Sequence, residues 1–148
     1  MSRLWKMAHG CFEIGGAFKY LSRVLELMCF IINGNAISIK ANIGKGTIFH
    51  HHGVGCVVHD NAIIGDNCHI FQNVTLGSRW TNGVLDGGAP IVGNNVLIGA
   101  GAVILGDIKI GDNSNIGANA VVLENVPEDC IAVGVPARII RKKEVGEC

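Results

Sequence analysis

A small aliphatic residue returns at every sixth position through most of this chain, and that period excludes most folds. The run Val92, Ile98, Ile104, Ile110, Ile116 and Val122 keeps it without a slip. Val58, Ile64, Ile70 and Leu76 keep it earlier, and Ile37, Ile43 and Phe49 before that. Neither an α-helix nor a simple strand repeats every six residues. A second small or apolar side chain stands four residues further on, at Thr47, Ala62, Cys68, Val74, Ala102, Ser114 and Ala120. Gly follows many of the aliphatics, as in Ile43-Gly44, Ile64-Gly65 and Ile98-Gly99, and Asn-rich pairs such as Asp66-Asn67 and Asp112-Asn113 recur beside them. Gly and Asn tolerate the backbone angles of tight corners. A six-residue rung therefore reads as one flat side of a solenoid, and three rungs as one triangular coil. The fold class is an all-β solenoid, a parallel β-helix of about four coils whose aliphatics stack inside.

The length, 148 residues, suits one domain. Apolar residues make up 49% but aromatics only 5%, with 21 glycines, which fits a thin core of Ile and Val. Net charge is zero, so nothing electrostatic points to nucleic acid. Six cysteines show no paired spacing and read as reduced thiols of a cytoplasmic protein, with Cys68 on an inward rung position. The most apolar stretch, 24–32, is interrupted by Glu26 and too short to span a bilayer. With Phe18 and Leu21 it reads as an amphipathic helix packed on the end of the solenoid, where strand edges need cover; a membrane-surface helix is the alternative. The expected layout is a helical cap over 1–34, the β-helix over 35–137, and a basic tail over 138–148 that forms a terminal helix.

The interruptions of the repeat are where function is expected, because solenoid insertions gather on a binding face. Phe49 to Val58 is nine residues rather than six, and the excess falls in His50-His51-His52-Gly53-Val54-Gly55. Leu76 to Val92 is sixteen, so residues 78–90 leave the coil as a loop carrying Arg79, Trp80, Asp86 and Gly87-Gly88. The two breaks could flank one cleft, with a second copy of the chain supplying its other wall.

These stretches resemble the hexapeptide-repeat acyltransferases, and within them the serine acetyltransferases and the short serine acetyltransferase-like O-acetyltransferases associated with surface polysaccharides. The resemblance rests on Ile43 to Gly46, on the run from His51 to His59, on Asn73-Val74-Thr75-Leu76-Gly77, on Val96 to Ala102, and on Gly134-Val135-Pro136-Ala137-Arg138. It implies a left-handed β-helix, a homotrimer, and acetyl transfer from acetyl-CoA to a hydroxyl. The family's base is a His just after the rung of Phe49. Counting forward from Phe49 lands on His51, and counting back from Val58 lands on His52. The short relatives share the extra residue of this bulge, which favours His51. The resemblance places CoA against Gly77, Ser78, Ala100, Gly101, Ala118 and Asn119, with Arg138, Lys142 and Lys143 toward its 3′-phosphate. Three positions depart from the serine enzymes. Their Asp before the first coil is Ala36 here, beside Asn35; their Asp before the base is His50; their loop His is Ala89. The acceptor is thus serine or a serine-like small molecule, with a sugar or polysaccharide hydroxyl as the alternative, and a non-catalytic trimeric scaffold as the reading without chemistry.

The chemistry asks for such a His. A hydroxyl attacks a thioester readily only if its proton is removed as it attacks, and imidazole does this near neutral pH. Backbone N–H groups of a Gly-rich turn can hold the oxyanion. Without the resemblance the three histidines would read as solvated turn residues. A metal reading would recruit His59 or His69, but no recognised ligand spacing supports it, and no metal is expected.

Overall fold

The computed structural model describes residues 3–85 and 88–141. Their backbone winds into a three-sided prism of parallel strands. The first side stacks Ala36–Ile37, Val57–Val58, Thr75–Gly77, Val103–Leu105 and Val121–Val122. The second stacks Asn42–Ile43, Ile63–Ile64, Ile91–Val92 and Lys109–Ile110, and Val126 bridges to Ile110 as a further level. The third stacks Ile48–Phe49, His69–Ile70, Leu97–Ile98, Asn115–Ile116 and Cys130–Val133. The coils number five where about four were expected. The fifth escapes the six-residue count because Val126 and Ala132 replace the regular aliphatics after Val122.

The aliphatics of the repeat are the core. Val58 lies over Leu76, Leu76 over Ile104 and Ile104 over Val122 in register. Ile70, Leu76, Ile98, Ile104 and Ile116 are wholly buried. Each such side chain contributes about 1.5–3 kcal/mol by leaving water. The series four residues on fills the corners. Where it is polar, it is satisfied: Thr47 Oγ1 donates to the Gly65 carbonyl at 2.7 Å and accepts from the Cys68 N–H at 3.0 Å. Burial pushes the Cys68 thiol up from its ordinary pKa, which fits an inert core thiol.

Two of the three edges turn through left-handed residues at level after level. Gly46, Asn67, Asn95, Asn113 and Asp129 descend one edge, and Gly55, Asn73, Gly101 and Asn119 the next. At Gly55 the φ of +69° favours glycine, and an added Cβ would stand 2.0 Å from Asn73 Oδ1.

Helices α1 (Arg3–Ile14) and α2 (Phe18–Asn33) cover the open end of the first coil. Trp5 Nε1 donates to the Ile37 carbonyl at 3.0 Å, His9 Nδ1 lies 2.6 Å from the Ile39 carbonyl, and the Ile39 N–H donates to Glu26 at 3.4 Å. These contacts satisfy backbone groups that have no further coil to meet. The other end corrects an expectation. Arg138–Arg141 is not helix but a strand, paired antiparallel with Cys130–Val133. The β-branched pair Ile139-Ile140 suits a strand, and the last coil offers it an open edge. Lys142, Lys143 and the rest of the basic tail lie outside the described residues.

Candidate active site

The nine-residue interval between Phe49 and Val58 is taken up by a tight turn, His50–Gly53, at the corner between the third and first sides. His51 and His52 both adopt left-handed backbone angles, with φ of +52° and +58°. That conformation costs a non-glycine residue on the order of 1–3 kcal/mol and persists only where surroundings hold it. Here Asn35 Nδ2 donates to the His52 carbonyl at 3.0 Å, the Val54 N–H donates to the His51 carbonyl at 3.2 Å, and the Gly55 N–H donates to the Gly34 carbonyl at 2.8 Å. Asn35 therefore holds the backbone of the turn and does not meet an imidazole.

The His51 and His52 rings are exposed, and among the described residues neither has a hydrogen-bond partner. His50 is different. Its Nε2 lies 3.0 Å from His69 Nδ1, and its ring stacks on Phe71 with centroids 4.4 Å apart. This triple spans two coils and anchors the start of the turn. The sequence places His69 and Phe71 on either side of the inward Ile70, but nothing local in it tells that His50 meets them. His59 is engaged elsewhere, accepting from the Asn61 N–H at 3.1 Å. Among the described residues no three His, Cys, Asp or Glu side chains converge as a metal set.

The residues expected against CoA fall into two groups. Ala100-Gly101 and Ala118-Asn119 occupy successive levels of the same edge that carries the His turn. The Asn73 N–H donates to the Val54 carbonyl, the Gly101 N–H to the Gln72 carbonyl, and the Asn119 N–H to the Ala100 carbonyl, at 2.9, 3.0 and 2.9 Å. Arg138 continues that edge, beside an Ala137 N–H that donates to the Val121 carbonyl at 2.8 Å. Gly77 and Ser78 instead lie at the far end of the first side. Ser78 Oγ is buried without a hydrogen-bond partner among the described residues, as is Gln72 Oε1. Buried polar atoms are seldom left so, and those that are ask for a partner. Lys142 lies outside the described residues.

Within the interval between Leu76 and Val92, the described residues up to Leu85 form a hairpin. Trp80–Thr81 and Val84–Leu85 pair antiparallel around Asn82 and Gly83, both at positive φ. Asn-Gly between short strands is a strong hairpin signal. Trp80 and Val84 stand 69% and 67% exposed on it, whereas Ala89 is buried and Gly88 sits hard against Asp107. The hairpin springs from the corner after the first side, and the His turn from the corner before it. Within one chain the two breaks are separated by the width of that side and do not share a cleft.

The chain matches the family described as bacterial transferase hexapeptide (six repeats) over residues 89–124. A serine acetyltransferase of Synechococcus elongatus is 44% identical over 126 residues, 84% of this chain and 50% of that protein. One from Staphylococcus aureus is 43% identical over 128 residues, 86% of this chain and 59% of that protein. Among solved structures, a Brucella abortus serine acetyltransferase in complex with coenzyme A superposes with a TM-score of 0.84 at 36% identity, over 95% of this chain and 54% of that one. A soybean serine acetyltransferase complexed with serine gives 0.81 at 41% identity, over 93% and 54%. The chain thus spans about half the length of the relatives it matches.

Proposed function

The chain belongs to the serine acetyltransferase-like hexapeptide-repeat transferases, and from that membership we propose that it moves an acetyl group from acetyl-CoA to the hydroxyl of serine or a serine-like small acceptor. The observation that carries this reading is one edge of the prism. It bears the strained His turn at one level and, at the levels after it, the turns of Ala100-Gly101 and Ala118-Asn119. A base and a cradle of backbone amides for a long thioester then share one line. The relatives solved with coenzyme A and with serine support the same pairing of ligands.

His51 is the base of this proposal, with His52 the alternative one residue on. Its ring takes the acceptor's hydroxyl proton as the oxygen attacks the thioester carbonyl. Backbone N–H groups of the Gly-rich corner hold the resulting oxyanion. Collapse breaks the carbon–sulfur bond, and the imidazolium returns the proton to the departing CoA thiolate. The acceptor is itself the nucleophile, so no acetyl-enzyme forms. Gly77 and Ser78, stranded at the far end of the first side, reach the same CoA if a neighbouring copy brings that end against the His turn. A homotrimer of left-handed coils is the assembly this requires, and the separation of hairpin and turn within one chain favours it. Lys142 and Arg138 would face the 3′-phosphate. The cytoplasm, where acetyl-CoA is made, is the compartment that fits.

A sugar hydroxyl is the second reading, and exposed Trp80 favours it, because an aromatic face on a projecting hairpin suits a pyranose ring. Release of free CoA thiol, measured with serine and with a panel of sugars, decides between them. Serine turnover supports the first reading; sugar turnover alone moves the assignment to the second. No release with any acceptor by a chain that sediments as a trimer leaves only the scaffold.

A further inference from the structure

Helix α2 is amphipathic the wrong way round for a lone capping helix. Its side turned to the solenoid carries Ser22, Cys29 and Glu26, the first two buried and the third accepting from the Ile39 N–H. Its outward side carries Tyr20, Leu21, Val24, Met28, Ile31 and Ile32, between 41% and 82% exposed. These recur at three- and four-residue spacings, so they form one continuous arc uninterrupted by charge. Scattered exposed apolar side chains are ordinary on a soluble surface, but a contiguous face marks an interaction site.

The charges beside the arc indicate what covers it. Lys19 and Arg23 border it along one side and are both exposed, and Lys6 is exposed on α1. Of the two acids in these helices, Glu26 pairs with Arg23 at 3.5 Å and accepts from the Ile39 N–H, which leaves Glu13 as the exposed one and Lys19 and Lys6 as the cations without an acid in α2. A second copy of this face would bring no free acid to Lys19, because Glu26, the one acid of α2, is taken by Arg23 and the Ile39 N–H. An anionic lipid surface takes the apolar arc and the cations together. The sixteen residues of α2 are too few to cross a bilayer, and no helix among the described residues is long and apolar enough to do so. We infer that α2 lies in the plane of an anionic membrane surface, apolar face down, and holds the prism there by its first coil.

The test is co-sedimentation of the full chain with vesicles of phosphatidylcholine alone and of phosphatidylcholine mixed with phosphatidylglycerol. The chain should pellet with the mixed vesicles, more weakly with the neutral ones, and be released by high salt. The double substitution Met28→Ser with Ile31→Ser should lower the partition coefficient about tenfold or more, by the area rule for apolar side chains. Lys19→Gln should lower it about fivefold on the mixed vesicles only. All three positions are exposed, so thermal unfolding should be unchanged and a failure to fold would show there. A wild-type chain left in the supernatant with both vesicle types overturns the inference. So does a double variant that partitions like wild type. A larger assembly in solution that the double variant dissolves, without vesicle binding, overturns it in favour of a second copy on this face.

Discussion

The His50 and His69 rings meet nitrogen to nitrogen at 3.0 Å, across nineteen residues of chain. One of them must donate and the other accept, and Phe71 backs the His50 ring. The pair ties the first residue of the turn to the coil beneath it. His69→Ala should cost about 1 kcal/mol, the net worth of one hydrogen bond. Thermal unfolding should then begin lower by about 2–4 °C. CoA release should fall severalfold with the acceptor's KM little changed, the pattern of residues that position the turn rather than bind the acceptor.

The turn's own histidines separate by direct substitution. General-base help is worth about 10²–10⁴-fold, so His51→Ala should reduce CoA release within that range while leaving assembly intact. His52→Ala, at the neighbouring strained position, should do much less. The reverse result moves the base to His52, and full activity in both variants refutes a base in this turn.

Removing the hairpin tests acceptor choice. Trp80–Leu85 can be excised with Gly88, Ala89 and Pro90 kept, since Gly88 packs on Asp107 and Ala89 is buried. The variant should fold with an unchanged thermal midpoint but lose discrimination between serine and sugar acceptors. Equal rates and equal preference in both forms would deny the hairpin any such role.

Two glycine substitutions should have opposite signs. Gly55→Ala forces a Cβ onto Asn73 at a left-handed position and should destabilise by about 1–3 kcal/mol. Gly10→Ala, inside α1 with nothing within 4 Å of the new Cβ, should stabilise by about 0.5–1 kcal/mol. Denaturant midpoints of the two variants check the pair.

One carboxylate gives an acid-side signature. The Lys40 ammonium and then the Ser38 hydroxyl hold the Asp60 carboxyl below its ordinary value of 3.8. Its folded pKa is depressed, so its contribution is present above 3.8 and is lost as pH falls through the lower folded value. Asp60→Asn should remove that part of the acid sensitivity and leave stability near neutrality only slightly reduced, because the pair is exposed. A wild-type and variant that lose stability in parallel below pH 4 would contradict this.

The prism was legible because the same positions in every six must point inward, and Ile64, Ile98 and Ile116 do. The two register breaks were legible for the same reason. What lay beyond reading was whatever depends on contact between coils. His50 finds His69 only once Ile48 and His69 are set in register by winding. Whether the hairpin shares a corner with the His turn likewise depends on where each break falls around the triangle. The Asn82-Gly83 turn, by contrast, is a local signal of a hairpin. The strand at Arg138–Arg141 departs from the terminal helix expected of the basic tail, because its pairing partner lies in the last coil, out of reach of local pattern.

The stacking of identical levels has a consequence for how such a chain can change over generations. Successive first-side strands at Val57 and Thr75, or at Val103 and Val121, are eighteen residues apart. A duplication or loss of eighteen residues would re-enter the ladder in phase, with every aliphatic still inward and every corner still met by its neighbour. The His turn and the hairpin each occupy a single level. The prism can therefore grow, shorten or exchange one working level for another as a column accepts a new drum, and the levels above and below need not be redesigned.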